Sequence, residues 1–175
     1  YSYDYWIVKL DSGGNMMWQE CLGGGDEDHA FSVQQTTDKG FIIAVYATST
    51  DGDVIVNHNS TGDYWVVKLS ASGMMEWQKC LGGYSAYIGY CIYQTTDGGY
   101  VVAGSSLSDD GDVTENHPAD NGSNTYDYWI TRLDTSGNLL WQKSFGGSDD
   151  DEAISIQQIS DGNFIVAGYS ESWIA

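Results

Sequence analysis

The chain has 175 residues, 25 of them acidic and 6 basic, for a net charge of −19. Such a surface repels phosphate backbones, which proteins bind by displacing counterions with Lys and Arg, so no nucleic-acid partner is expected. Aromatic residues make up 14% and 22 glycines stand against one proline, which suits short strands and tight turns. No apolar run approaches the roughly eighteen residues a membrane span requires, and no membrane insertion is expected.

The sequence repeats itself. Trp6, Trp65 and Trp129 stand 59 and 64 residues apart, and Trp18, Trp77 and Trp141 keep those offsets, as do Gln35, Gln94 and Gln158. Three units follow, approximately 3–62, 63–126 and 127–175, within a single domain. Each unit predicts four strands. The first reads YWIVKL, YWVVKL or YWITRL, with Tyr64, Val66 and Lys68 on one face and Trp65, Val67 and Leu69 on the other. A Gly-containing turn leads to the second run, MMWQECL, MEWQKCL or LLWQKSF, which closes on paired glycines at Gly23, Gly82 and Gly146. The third run is AFSVQQT, GYCIYQT or AISIQQI. The turns TDKG, TDGG and SDGN lead to the fourth, FIIAVYA, YVVAGSS or FIVAGYS, whose unbroken apolar start fits a strand covered on both faces.

Four strands per unit at a period near sixty predict an all-β fold, a β-propeller of four-stranded antiparallel blades. A parallel β-helix, the rival repeat architecture, has much shorter coils. The expected phase joins the third and fourth runs of one unit to the first and second of the next. Three units fall short of the four to eight blades typical of propellers. The chain is therefore expected to be a segment of a longer array or one half of a ring shared by two self-associated copies. The residues carry a resemblance as well. Gly146, Gly147, Asp149, Asp161, Gly162, Phe164, Ala167 and Gly168, in the pattern WQKxxGGSDDDEAxSIQQxxDGNFIVAG, resemble the seven-bladed β-propeller repeat family. That resemblance implies an extracellular or cell-surface scaffold without shared catalytic residues. The second unit departs from the pattern, with YSAYIG where the others are acidic.

Candidate chemistry sits in loops. After the fourth run come DGDVIVNH and DGDVTENH, in which Asp51, Asp53 and Asn57, then Asp110, Asp112 and Asn116, supply oxygens of the kind Ca²⁺ prefers. The competing expectation is an ordinary Asp-Gly turn. His58 and His117 follow in the same loops and read as hydrogen-bonded loop residues rather than zinc ligands, because no second His or Cys lies near. Asp26, Glu27 and Asp28, with Asp149, Asp150, Asp151 and Glu152, form a second acidic set. A glycan hydrolase needs a pair of carboxylates, but like-charged loop runs are usually solvated. Cys21, Cys80 and Cys91 are expected to be small buried thiols. Asn59 and Asn121 begin glycosylation tripeptides. The tryptophans recur inside strands, which argues for core packing over sugar stacking. The expected function is a non-enzymatic binding or structural module, calcium-stabilised, whose variable loops meet a protein or glycan. A lectin-like propeller and a glycan-active hydrolase are the alternatives.

Overall fold

The computed structural model describes residues 3–55, 58, 62–85, 87–119 and 122–172, and among them every regular element is a β-strand. In chain order these are β1 (Tyr5–Leu10), β2 (Met16–Leu22), β3 (Asp28–Gln35), β4 (Phe41–Ala47), β5 (Asp63–Leu69), β6 (Met75–Leu81), β7 (Tyr87–Gln94), β8 (Tyr100–Ser106), β9 (Asp127–Leu133), β10 (Leu139–Phe145), β11 (Asp151–Gln158) and β12 (Phe164–Ser170). The all-β expectation holds. The third run of the outer units starts earlier than its apolar residues suggest, because an acidic residue opens it: the Asp28 amide donates to the Tyr3 carbonyl and the Asp151 amide to that of Tyr126.

Side chains set the turns. Asp11 Oδ1 accepts from the Gly13 and Asn15 amides at 2.8 and 2.9 Å. Asp134 Oδ1 repeats this with Ser136 and Asn138, at 2.8 and 2.9 Å. Such local bonds fix where the chain reverses and hence the register beyond it.

Strands β3-β4-β5-β6 form one four-stranded antiparallel sheet and β7-β8-β9-β10 another, while β1-β2 and β11-β12 are two-stranded. The third and fourth runs of one unit thus join the first and second of the next, the expected phase. The joining seams match each other: Phe41 pairs with Leu69 and Ala47 with Asp63, as Tyr100 pairs with Leu133 and Ser106 with Asp127. Bulges also recur, at Ala30/Ser32, Gly89/Cys91 and Ala153/Ser155, and increase the local twist.

The sheets stack face to face in chain order, and three apolar layers lie between them. Alternation along β5 sends Trp65, Val67 and Leu69 toward β1–β2, and Tyr64 and Val66 toward β8–β9. At each step a tyrosine meets the tryptophan of the next unit: Tyr5 and Trp65 have ring centroids 5.3 Å apart, Tyr64 and Trp129 4.6 Å. Each tryptophan donates its Nε1–H to a glutamine one strand on, Gln78 or Gln142, at 2.8 Å. Buried tryptophans normally satisfy their polar edge in this way.

Burial departs from the sequence reading at the two ends. Trp65 and Trp129 are 0% exposed, but Trp6 is 61% exposed, because no sheet among the described residues covers the outer face of β1–β2. Core packing therefore describes two of the three first-strand tryptophans. Trp18 and Trp77 are half-buried over the turn of the next unit, where a Cβ added at Gly73 or Gly137 would stand 3.1 or 2.8 Å from the ring. The cysteine expectation is corrected likewise: all three are free, Cys80 is buried, Cys91 half-buried and Cys21 exposed. Cys80 lies under the loop after β4, where its Sγ approaches the Ile55 carbonyl at 3.5 Å. Burial pushes its thiol up to about 12, with Asp63 adding to the effect.

Candidate functional site

The variable loops leave β4 and β8, and each begins with the Asp-Gly-Asp turn. The Val54 amide donates to the Asp51 carbonyl at 3.1 Å, and that of Val113 to Asp110 at 3.0 Å. Gly52 and Gly111 have φ of 65° and 63°, in the left-handed region that glycine adopts without steric cost. These turns dock on the paired glycines that end the second run. The Asp53 and Asp112 amides donate to the Gly23 and Gly82 carbonyls, both at 2.8 Å.

The carboxylates complete the docking. Asp51 Oδ1 accepts from the Gly25 amide at 2.6 Å and Asp110 Oδ1 from that of Tyr84 at 2.9 Å. Asp53 Oδ2 and Asp112 Oδ2 take the Gly23 and Gly82 amides at 3.3 and 3.2 Å. Four of the six residues singled out as calcium ligands thus hold backbone N–H groups. Asn116 donates to the Thr125 carbonyl at 3.2 Å. Asn57 lies outside the described residues, as do Asn59 and Asn121. Among the described residues, no three His, Cys, Asp or Glu side chains gather to hold a metal ion.

Beyond the turn the loop lies along the outer strand of its own sheet. Gln78 Nε2 donates to the Asp53 carbonyl at 2.6 Å, and its Oε1 accepts from the Ile55 amide at 3.0 Å. In the next unit the Ser144 hydroxyl donates to the Thr114 carbonyl at 3.1 Å, and Lys143 pairs with Glu115 at 3.0 Å. Each loop is thus tied to side chains of the outermost strand of its sheet, β6 or β10.

Further along each loop stands a histidine pinned by a buried aspartate. The His58 amide and Nδ1 lie 2.9 and 2.6 Å from Asp63 Oδ2, and His117 stands in the same way to Asp127 Oδ2, both contacts at 2.7 Å. A carboxylate only accepts, so Nδ1 carries the proton in each pair. Asp63 and Asp127 are fully buried, and each Oδ1 is buried without a partner. Burial raises both carboxyls above the ordinary range; their histidines oppose this, while Asp112 adds to it at Asp63 and Asp151 at Asp127. The histidines are hydrogen-bonded loop residues, as expected. Their aspartate partners were missed, although an Asp before Tyr-Trp in every unit is a visible signal.

The second acidic set is not wholly solvated. Asp28 and Asp151 are each 1% exposed. Asp28 Oδ2 accepts from the Gly24 amide at 3.0 Å and the Ser49 hydroxyl at 2.7 Å; Asp151 Oδ2 accepts from Gly147 and Ser172 at 2.8 and 2.9 Å. Gly23 and Gly146 make room for these acids. A Cβ on Gly23 would stand 2.6 Å from Asp4 Oδ1 and 2.9 Å from Asp28 Oδ2, and one on Gly146 would collide with Asp127 and Asp151. Gly146→Ala should therefore cost about 1–3 kcal/mol, the usual penalty for overpacking, read by urea denaturation. An unchanged midpoint would show that the acids can swing away. Beside these acids lies an open cleft of about 450 Å³ walled by Tyr128, Phe145 and Gly146.

No known protein-family description matches the chain. It is 26% identical over 163 residues to a regulatory protein, FlaEY, of Caulobacter vibrioides, over 91% of this chain and 17% of that protein. Among solved structures it overlays on a protein of unknown function from Bacteroides caccae with 11% identity and a TM-score of 0.42, over 94% of this chain and 64% of that one.

Proposed function

We propose that the chain is three repeat units of a β-propeller, serving as a non-catalytic binding or structural scaffold of an extracellular or cell-surface protein. One observation carries the reading: the sheets are near-copies of one another, while the loops strapped across their edges differ in length and sequence. Between His58 and Asp63 the chain runs five positions, and between His117 and Asp127 it runs ten. Loops held at both ends on a rigid framework are where recognition is usually placed. Antiparallel sheets stacked face to face at a period near sixty residues support the propeller part of the reading.

The carboxylates fit this better than hydrolysis. Asp151 is 1% exposed and its Oδ2 is taken by a glycine amide and a serine hydroxyl. Calcium would have to compete with the amides already on Asp51, Asp53, Asp110 and Asp112. The melting temperature is therefore expected to be the same with calcium and with chelator; a rise on adding calcium would mean that the cation wins.

The reading is tested by presenting the full chain to arrays of glycans and peptides, then replacing residues 118–125 with a Gly-Ser linker of equal length. Ligand loss with an unchanged melting temperature is expected. Binding that survives the replacement, or turnover of any arrayed glycan, would overturn it.

A further inference from the structure

The two-stranded sheets are complementary halves. Strand β12 occupies the place of β4 and β8, and β1 the place of β5 and β9, yet among the described residues β12 and β1 each leave one edge without a partner strand. We propose that the open edge of β12 takes the β1–β2 hairpin of a second copy of this chain. The joint continues an interface the molecule already makes twice within itself. Carried over from the β4–β5 and β8–β9 seams, its register sets Phe164 against Leu10 of the second copy and Gly168 against its Trp6.

Four independent contacts agree on that register. Among the described residues Tyr128 has no tryptophan of the kind that Tyr5 and Tyr64 have, and Trp6 has no tyrosine; the joint stacks one on the other. The receiving socket is the cleft walled by Tyr128 and Phe145. Phe145 is 55% exposed there, whereas its counterparts Leu22 and Leu81 are buried. Trp18 and Trp77 each rest on a turn glycine of the following unit, Gly73 and Gly137. Trp141 has no such floor, and the equivalent Gly14 has nothing within 4 Å of an added Cβ.

Charge gives the third match. Lys68 pairs with Asp38 at 2.9 Å and Arg132 with Asp97 at 2.6 Å, each across the joining seam of one sheet. The remaining cation of the series is Lys9, which stands near the Trp18 and Phe41 rings. The remaining acid is Asp161, at the turn before β12. The joint brings them together. A ladder between neighbouring units supplies the fourth contact: the Thr37 amide donates to Gln94 Oε1 and the Thr96 amide to Gln158 Oε1, both at 2.8 Å. Gln35 and the Ser160 amide are the unused ends of that ladder, and the joint makes them partners.

Each copy offers both halves of the joint, and joining two head to tail brings six units together, within the four to eight of a closed propeller. Native mass measurement and sedimentation of the full chain are expected to give about twice its 19.2 kDa. Trp6→Asp should weaken association about a hundredfold, as loss of a central aromatic anchor does, with an unchanged circular dichroism spectrum because Trp6 is exposed in the single copy. Lys9→Glu and Asp161→Lys should each weaken association, and the two substitutions together should restore it. A chain that stays single at all accessible concentrations would overturn the joint. So would association that ignores Trp6→Asp, or charge reversals that show no rescue.

Discussion

Trp129→Ala is expected to destabilise the fold by about 3–5 kcal/mol, the range for emptying a buried aromatic site. For a chain of this size that corresponds to a fall on the order of 10 °C in melting temperature. The ring is fully buried, lies 4.6 Å from that of Tyr64, and gives its Nε1–H to Gln142 at 2.8 Å. Its removal opens a cavity between two sheets and leaves the Gln142 oxygen without that donor. Trp6→Ala, at the same repeat position, should cost less than about 0.5 kcal/mol when the copies are kept dilute, because an exposed side chain leaves no cavity behind. Denaturation of both variants reads the contrast directly. Equal losses would mean that the stacked order of the sheets is wrong, since that order alone separates the two tryptophans.

That contrast marks what could be read from residue types and what could not. Strand positions and their pairing phase were legible because alternation in YWVVKL and the Asp-Gly turns are local signals, and three copies agree on them. The exposure of Trp6 was not, because burial depends on which sheet covers which face, and identical residues occur on covered and uncovered faces. The acidic loops misled for a related reason. A run such as Asp149 to Glu152 looks solvated by charge alone, yet Asp151 faces the Gly147 amide and the Ser172 hydroxyl. Those donors come from positions 4 and 21 residues away. The same holds for the Asp-Gly-Asp turns. Spacing suggested a cation, and only the fold shows that these carboxylates also accept from the amides of Gly23, Gly25, Gly82 and Tyr84. Asp63 and Asp127 were legible in principle, as the residue before Tyr-Trp, but only the folded loops show what they hold.

Asp127 carries the last large effect, and its sign changes with the replacement. Burial, with Asp151 adding, holds its carboxyl above the ordinary range against the pull of His117. The folded chain therefore binds that proton more tightly than the unfolded chain, whose aspartates titrate near about 3.9. The resulting stabilisation is complete below the unfolded value and is lost as pH rises through the raised folded value. Asp127→Asn keeps an oxygen for the His117 amide and removes the charge. Near neutral pH this variant should equal or exceed the parent in stability, and in acid the advantage should disappear. Asp127→Ala removes the acceptor and releases the loop end, which should cost about 1–3 kcal/mol for the orphaned donors, with little dependence on pH. Asp38 and Asp97 act oppositely, their carboxyls held low first by Thr36 and Thr95, with Lys68 adding at Asp38 and the Gly99 amide and then Arg132 at Asp97. They are common to parent and variant, so the difference between the two denaturation curves cancels them. If Asn proves as damaging as Ala at neutral pH, the ionised carboxylate itself anchors the histidine and desolvation is the lesser effect. If the difference between Asn and the parent does not change with pH, the buried charge was never costly.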